Sequence, residues 1–323
     1  MSSIVNTDQS TKNNLLNQLN MQQQTDYKSK IAEMGAAACW GLGDWEQMQN
    51  YVQYLPDNSF DGSLYKSVLA LTLNNNTQKH ERQNALQLIE HTRDLLDVDL
   101  TSMASQSYER SYQAIIDAQV LAELEEIITY KSTPNKREWL RETWWKRLQG
   151  CERSLEYWHR LLLVRSIVLP KEKEIKPWLK FSSLCQKAGY LNLSQQVLSS
   201  LLGDEEVGII SSQSNQNQSS FNFTNGTRDY ELCKFSYFKY LYANGNKRKA
   251  FQKLNEFHLE LKKQLDQFEL YSSQMAANNS MSGNHVSIQV PAIFQNPREL
   301  QKRKVELDTH IAKCYLKLGN YFS

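Results

Sequence analysis

The sequence predicts an all-α protein and, within that class, an α-solenoid of degenerate tetratricopeptide- or HEAT-like helix hairpins. Three observations lead there. Gly (12) and Pro (6) are scarce for 323 residues, while Leu, Gln, Lys, Glu and Ala dominate, the composition of a chain built from good helix formers. Apolar residues recur at steps of three and four, and few segments alternate with period two or gather β-branched residues as strands do. Four stretches also share one pattern: a small or apolar helix end, a Gly, an Asn or aromatic residue, then a second helix. They are Ala36–Trp45, Leu184–Leu191, Tyr242–Asn246 leading into Lys249-Ala250-Phe251, and Ala312–Tyr321. In each, Gly is expected to supply the left-handed residue that ends one helix, while small residues let the next approach closely. The glycines recur at uneven spacing, so the repeats are degenerate.

Taken in order, residues 1–26 are polar and rich in Asn and Gln, and are expected to be disordered. They lack both the apolar core of a secretory signal and the arginines of a mitochondrial leader. Helical repeats are expected over 27–203. Asn74–His80 reads as a polar insert; Leu86, Ile89, Leu95 and Leu96 mark one amphipathic helix, and Ala114, Ala118, Leu121, Leu124 and Ile128 the next. Pro134-Asn135 breaks the chain. The stripe Leu140, Trp144, Leu148, Cys151, Leu155, Trp158, Leu162 then predicts one continuous helix of about six turns, closed by Pro170 and Pro177. Residues 204–230 form a Ser/Asn/Gln-rich insertion, 231–271 resume the repeats, and 272–298 read as a flexible insertion. Residues 299–323 carry repeats that stop partway, as expected of a piece of a longer protein.

Several chemistries are excluded by what the sequence lacks. A net charge of +2 does not suit a chain devoted to nucleic acid, and no apolar run approaches the length of a membrane span. Five scattered cysteines (Cys39, Cys151, Cys185, Cys233, Cys314) suggest reduced thiols in a cytosolic setting. Cys39, Cys185 and Cys314 stand just before hairpin turns, where a small buried side chain is wanted. Phosphoryl transfer needs a Gly-rich loop and metal-binding aspartates; His159-Arg160-Leu161 lacks the catalytic Asp, and no Asp-Phe-Gly occurs. The six histidines are isolated from one another, so neither a metal site nor a catalytic residue is assigned.

One constellation points to a ligand. Between Lys131 and Lys187 stand fourteen Lys or Arg against six acidic residues. Lys131, Lys136, Arg137, Arg141, Lys146, Arg147, Arg153, Arg160 and Arg165 precede Lys171, Lys173, Lys176, Lys180 and Lys187. Two readings stand side by side: a solvated charged surface, or a basic groove for a polyanion. Nucleic acid is the less attractive ligand, because Trp139, Trp144, Trp145, Trp158 and Trp178 mostly follow the buried stripe rather than offering stacking platforms. A compact, highly phosphorylated small molecule fits a groove between helix pairs better.

Three segments carry a resemblance. They are Ala36–Trp45; Arg93-Asp94-Leu95-Leu96-Asp97 through Leu100–Ala104 to Glu109–Tyr112; and Leu124–Ile128 with Trp144–Cys151, reaching Trp178-Leu179-Lys180. Together they closely resemble the FAT region of the target-of-rapamycin (TOR) kinases, in the phosphatidylinositol-3-kinase-related family, from about Ile31 to Gly203. The likeness resumes more loosely over Tyr237–Phe268 and Leu300–Tyr321. The resemblance implies a non-catalytic solenoid that clasps a kinase domain further along the parent chain and contacts TOR complex subunits, with ATP and Mg confined to that kinase domain. It also implies a cytoplasmic setting, with lysosomal or vacuolar membranes or the nucleus reached through the parent complex and no direct membrane insertion. A basic pocket for inositol hexakisphosphate is implied too. Carried across by motif, Arg147 and Lys187 match basic pocket positions, Lys247 stands beside Asn246 where the family has a basic residue, and Lys180 and Lys239 are auxiliaries. A free-standing tetratricopeptide-like adaptor is the alternative.

Overall fold

The computed structural model describes residues 24–73, 79–104, 108–203, 228–280 and 297–322. Twelve α-helices and no strand occur among the described residues. Most of residues 1–26, of the insert Asn74–His80 and of the insertions 204–230 and 272–298 lies outside them. The helices are α1 (24–42), α2 (Trp45–Val52), α3 (Phe60–Leu73), α4 (Lys79–Ala104), α5 (Tyr108–Ser132), α6 (Arg137–Gly150) and α7 (Leu155–Ser166). There follow α8 (Ile175–Lys187), α9 (Leu191–Leu202), α10 (Arg228–Ala243), α11 (Lys247–Ser280) and α12 (Pro297–Phe322). α11 therefore runs to Ser280, into the stretch expected to be an insertion from 272. The chain divides into two compact units, Met1–Pro170 and Lys171–Ser323.

In the first unit each helix packs on its neighbours in sequence, α2 on α3, α3 on α4 and α4 on α5, and α5 then carries both α6 and α7. This nearest-neighbour stacking is the solenoid that the repeated turns predict. The first hairpin is tight because Gly35 faces the Tyr51 ring; a Cβ there would stand 2.8 Å from ring carbons. Ala32, Ala36, Cys39 and Trp40 form the buried face of α1, and Trp40 meets Tyr65 of α3 edge-on with centroids 6.1 Å apart. Buried hydroxyls stitch α3 to α4: Ser63 Oγ and Thr92 Oγ1 lie 2.8 Å apart, so close packing leaves neither polar atom unpaired.

In the second unit α8 pairs with α9, α10 packs on both, α11 on α10 and α12 on α11. Ser182 Oγ and Ser194 Oγ repeat the hydroxyl stitch between α8 and α9 at 2.8 Å. Tyr237, Phe238, Tyr240 and Leu241 of α10 share one apolar cluster with Leu254, Phe257 and Leu261 of α11 and with Leu307, Cys314 and Leu318 of α12.

Three of the four expected turns share one geometry. Gly43, Gly189 and Gly245 have φ of 75°, 84° and 83°. In each the Gly N–H donates three residues back, to Trp40, Gln186 or Tyr242. The following N–H donates five back, to Cys39, Cys185 or Leu241 at 2.9–3.0 Å. These are Schellman caps, satisfying carbonyls that would otherwise be orphaned at the helix end. The fourth expectation fails: Gly319 lies inside α12, which continues to Phe322, so no turn forms there. The single long helix expected from Leu140 also divides. α6 ends at Gly150, Cys151 turns extended (φ −70°, ψ 151°), and α7 begins after Ser154. The break is held because its polar groups find other partners: Tyr112 Oη accepts from the Glu152 N–H at 2.9 Å, and Trp158 Nε1 donates to the Glu152 carbonyl at 3.1 Å.

Candidate functional site

The residues expected to hold a polyanion fall in both units: Arg147 in the first, and Lys180, Lys187, Lys239 and Lys247 in the second. In the first unit the basic run meets acids that a linear count over 131–187 leaves out, because α5 supplies them. Arg165 on α7 is 1 % exposed and donates through Nε and Nη2 to both oxygens of the fully buried Glu123, at 2.8 and 2.7 Å. Arg160 lies 3.0 Å from Asp117. Arg147 also makes a bidentate pair, donating end-on through Nη1 and Nη2 to Glu126 at 2.7 and 2.8 Å, and Trp144 Nε1 donates to that carboxylate at 2.7 Å. The hydrogen bond that Arg147 donates to Glu126 holds its guanidinium above its ordinary value against the opposing effect of burial. Lys131 donates to the Leu71 carbonyl near the end of α3, and Arg137 Nε to the Tyr130 carbonyl at 2.9 Å. Much of the basic excess thus cross-links helices rather than facing a ligand. Of the tryptophans, Trp144, Trp158 and Trp178 are buried as expected, while Trp139 is exposed.

The second unit is different. Lys180 and Lys187 stand on α8 and are exposed, whereas Lys239 on α10 is half-buried. Burial first, and then the positive charges of Lys317, Lys180 and Lys187, hold the Lys239 ammonium below the ordinary lysine value. Three helices, α8, α10 and α12, therefore place three other lysines within electrostatic reach of Lys239. A buried tie sets Lys239 and Lys317. Glu231 of α10, 2 % exposed, accepts from Arg303 of α12 and lies 2.9 Å from His310 Nδ1. Lys239 follows Glu231 by two turns, and Lys317 follows His310 by two turns, so both lysines share the faces this tie brings together. Lys317 is the member that reading the sequence missed. Its spacing along the chain carries no signal, because α12 reaches α10 only through the folded stack.

Lys247 is placed otherwise, at the exposed start of α11 with its ammonium 5.4 Å from the Tyr242 ring centroid. Asn246 is the cap residue whose N–H closes the Gly245 turn on Leu241. A groove of about 260 Å³ lies between α10 and α11, but it sets Lys234 and Lys253 against Glu256 and Glu260 over Tyr237, Phe238 and Phe257, and so has no net charge. An anion placed beside Lys239 would offset the positive charge that this side chain feels from the other three lysines. Among the described residues no group of His, Cys, Asp and Glu is arranged to hold a metal ion, and no helix is long and apolar enough to cross a membrane.

Comparison with known proteins gives a consistent result. A family model of the FAT domain matches residues 32–323. The chain is 42% identical over 233 residues to the serine/threonine-protein kinase mTor of Drosophila melanogaster, covering 72% of this chain and 9% of that protein. It is 32% identical over 301 residues to the serine/threonine-protein kinase tor1 of Schizosaccharomyces pombe, and 29% over 299 residues to TOR2 of Saccharomyces cerevisiae. Each of those two alignments covers 92% of this chain and 11% of the relative.

Proposed function

The chain belongs to the FAT domain family, and from that premise we propose that it is the non-catalytic scaffold region of a TOR-type serine/threonine kinase. In this reading the stacked hairpins clasp and position a kinase domain and its partner subunits in growth signalling. The family match over 32–323, together with relatives that are kinases about ten times longer than the matched segment, is the observation that carries it. The solenoid supplies rigid, repeated surfaces, and no phosphate loop or catalytic Asp motif occurs in the sequence. Purified chain should show no ATPase or protein kinase activity and should bind a TOR kinase domain supplied in trans. Robust activity that survives repurification would reject the reading.

The adaptor alternative requires terminal helices with polar outer faces. Among the described residues α1 exposes Tyr27, Ile31, Met34 and Leu42, and α12 exposes Val305 and Leu316, apolar faces that suit packing against another domain.

The second part of the proposal is a structural polyanion, with inositol hexakisphosphate as the ligand and Lys180, Lys187 and Lys239 as its main partners, joined by Lys317. Lys247 enters through the family motif alone; Arg147, matched by the same motif, stands in the other unit and is already engaged by Glu126. Ligand that binds only the native state should raise Tm. Replacing Lys180, Lys187 and Lys239 together by Ala should remove that rise, and an undiminished rise would eliminate these lysines as ligands.

A further inference from the structure

Of the six prolines only Pro134 follows a hydroxyl-bearing residue, so Ser132-Thr133-Pro134-Asn135-Lys136-Arg137 holds the single Ser/Thr-Pro step of the chain, with a lysine three positions past the threonine. The fold sets this step at an outward elbow. α5 ends at Ser132, Pro134–Lys136 form a 3-10 turn, and α6 begins at Arg137. Thr133 is extended (φ −128°, ψ 91°), as expected of a residue before proline, and its side chain caps nothing. Ser132, Pro134, Asn135, Lys136 and Arg137 are exposed, and Thr133 is half-exposed. The turn is closed by the Lys136 N–H donating to the Thr133 carbonyl at 3.2 Å. A single 3-10 turn on the surface has weak hydrogen-bond geometry and opens at little cost.

We propose that Thr133 is a phosphoacceptor for a separate proline-directed serine/threonine kinase. An extended, accessible acceptor, a next residue with no N–H to satisfy and a cation at the third position beyond are what the cleft of such an enzyme can read. Thr133 Oγ1 attacks the γ-phosphorus of ATP. The new O–P bond forms as the bond to the β–γ bridging oxygen breaks; ADP leaves, and the hydroxyl proton passes to the modifying kinase's catalytic carboxylate. The product carries close to two negative charges beside Lys136 and Arg137. Arg137 already spans the elbow, donating to the Tyr130 carbonyl at 2.9 Å. Charge-assisted bonds from these two side chains to the phosphate fasten α6 to the end of α5 more firmly. The site is independent of the polyanion cluster, which belongs to the other unit.

The test treats the whole chain with a cyclin-dependent-type kinase and ATP, and locates phosphate by mass spectrometry. Phosphate is expected on the peptide bearing Thr133, retained in Thr133→Ser, absent from that peptide in Thr133→Ala, and slowed more than about tenfold in Pro134→Ala. An unmodified Thr133 in fully treated wild-type protein overturns the proposal, as does an unchanged rate in Pro134→Ala. Amide exchange over residues 130–137 should slow on phosphorylation, and the slowing should vanish in the Lys136→Ala, Arg137→Ala double variant. Exchange unaltered by the phosphate would overturn its capture by those side chains.

Discussion

Lys239 shows how one side chain can be unfavourable to the fold and yet suit the proposed ligand. Its ammonium is held down by burial and by three other lysines, so folding disfavours its charged form. The penalty is fully present below the lowered pKa, where both folded and unfolded chains carry the proton. It fades as pH rises through that value and is gone above the ordinary lysine value of 10.5. Lys239→Met should therefore raise the Tm of ligand-free protein at neutral pH and reduce the response to inositol hexakisphosphate, both read by differential scanning fluorimetry. A bound anion favours the charged form, so affinity measured by calorimetry should fall as pH climbs through the same window; constant affinity would contradict the role given to Lys239. The basic run that includes Lys180 and Lys187 could be read from sequence because it is local. The commitment of Arg147 could not, since Glu126 lies 21 positions upstream and reaches it only once α5 and α6 pack.

At the level of the helix, the same dipeptide does different work in different places. Leu-Gly in Leu42-Gly43 ends α1 in a left-handed turn, whereas Leu-Gly in Leu318-Gly319 lies within α12. Replacing Gly43, Gly189 or Gly245 by Ala forces a side chain into the left-handed region and should cost about 1–2 kcal/mol each in chemical denaturation. Gly319→Ala should do the reverse, adding up to about 1 kcal/mol, because a Cβ there meets nothing within 4 Å and Ala favours helix. Equal losses at all four sites would mean that Gly319 is a turn after all. Three turns were legible because a Schellman cap depends on six consecutive residues. The division of α6 from α7 was not, since the apolar stripe keeps its phase across Cys151 and the partners that hold the break, such as Tyr112, come from a distant helix.

At the scale of the whole chain, stacking neighbour on neighbour within each unit leaves helices with one face to fill. The stripe Tyr27, Ile31, Met34 and Leu42 on α1 is 66–84% exposed residue by residue. Apolar surface of this kind on a helix favours association. Ile31→Glu and Leu316→Glu should each reduce concentration-dependent self-association in light scattering while changing Tm little, since both side chains are already in water. A large drop in Tm would mean that these faces are buried within the chain.

Buried cysteines give the solenoid a built-in clock. Cys185 is fully buried at a Schellman cap, with its thiol pushed up to about 11, while Cys233 and Cys314 on α10 and α12 are pushed to about 12. At neutral pH almost none of these is thiolate, and none is open to reagent, so alkylation waits until the local helix pair opens. The rate at which each position gains mass in a thiol-trapping experiment thus times the breathing of individual hairpins, without any introduced label.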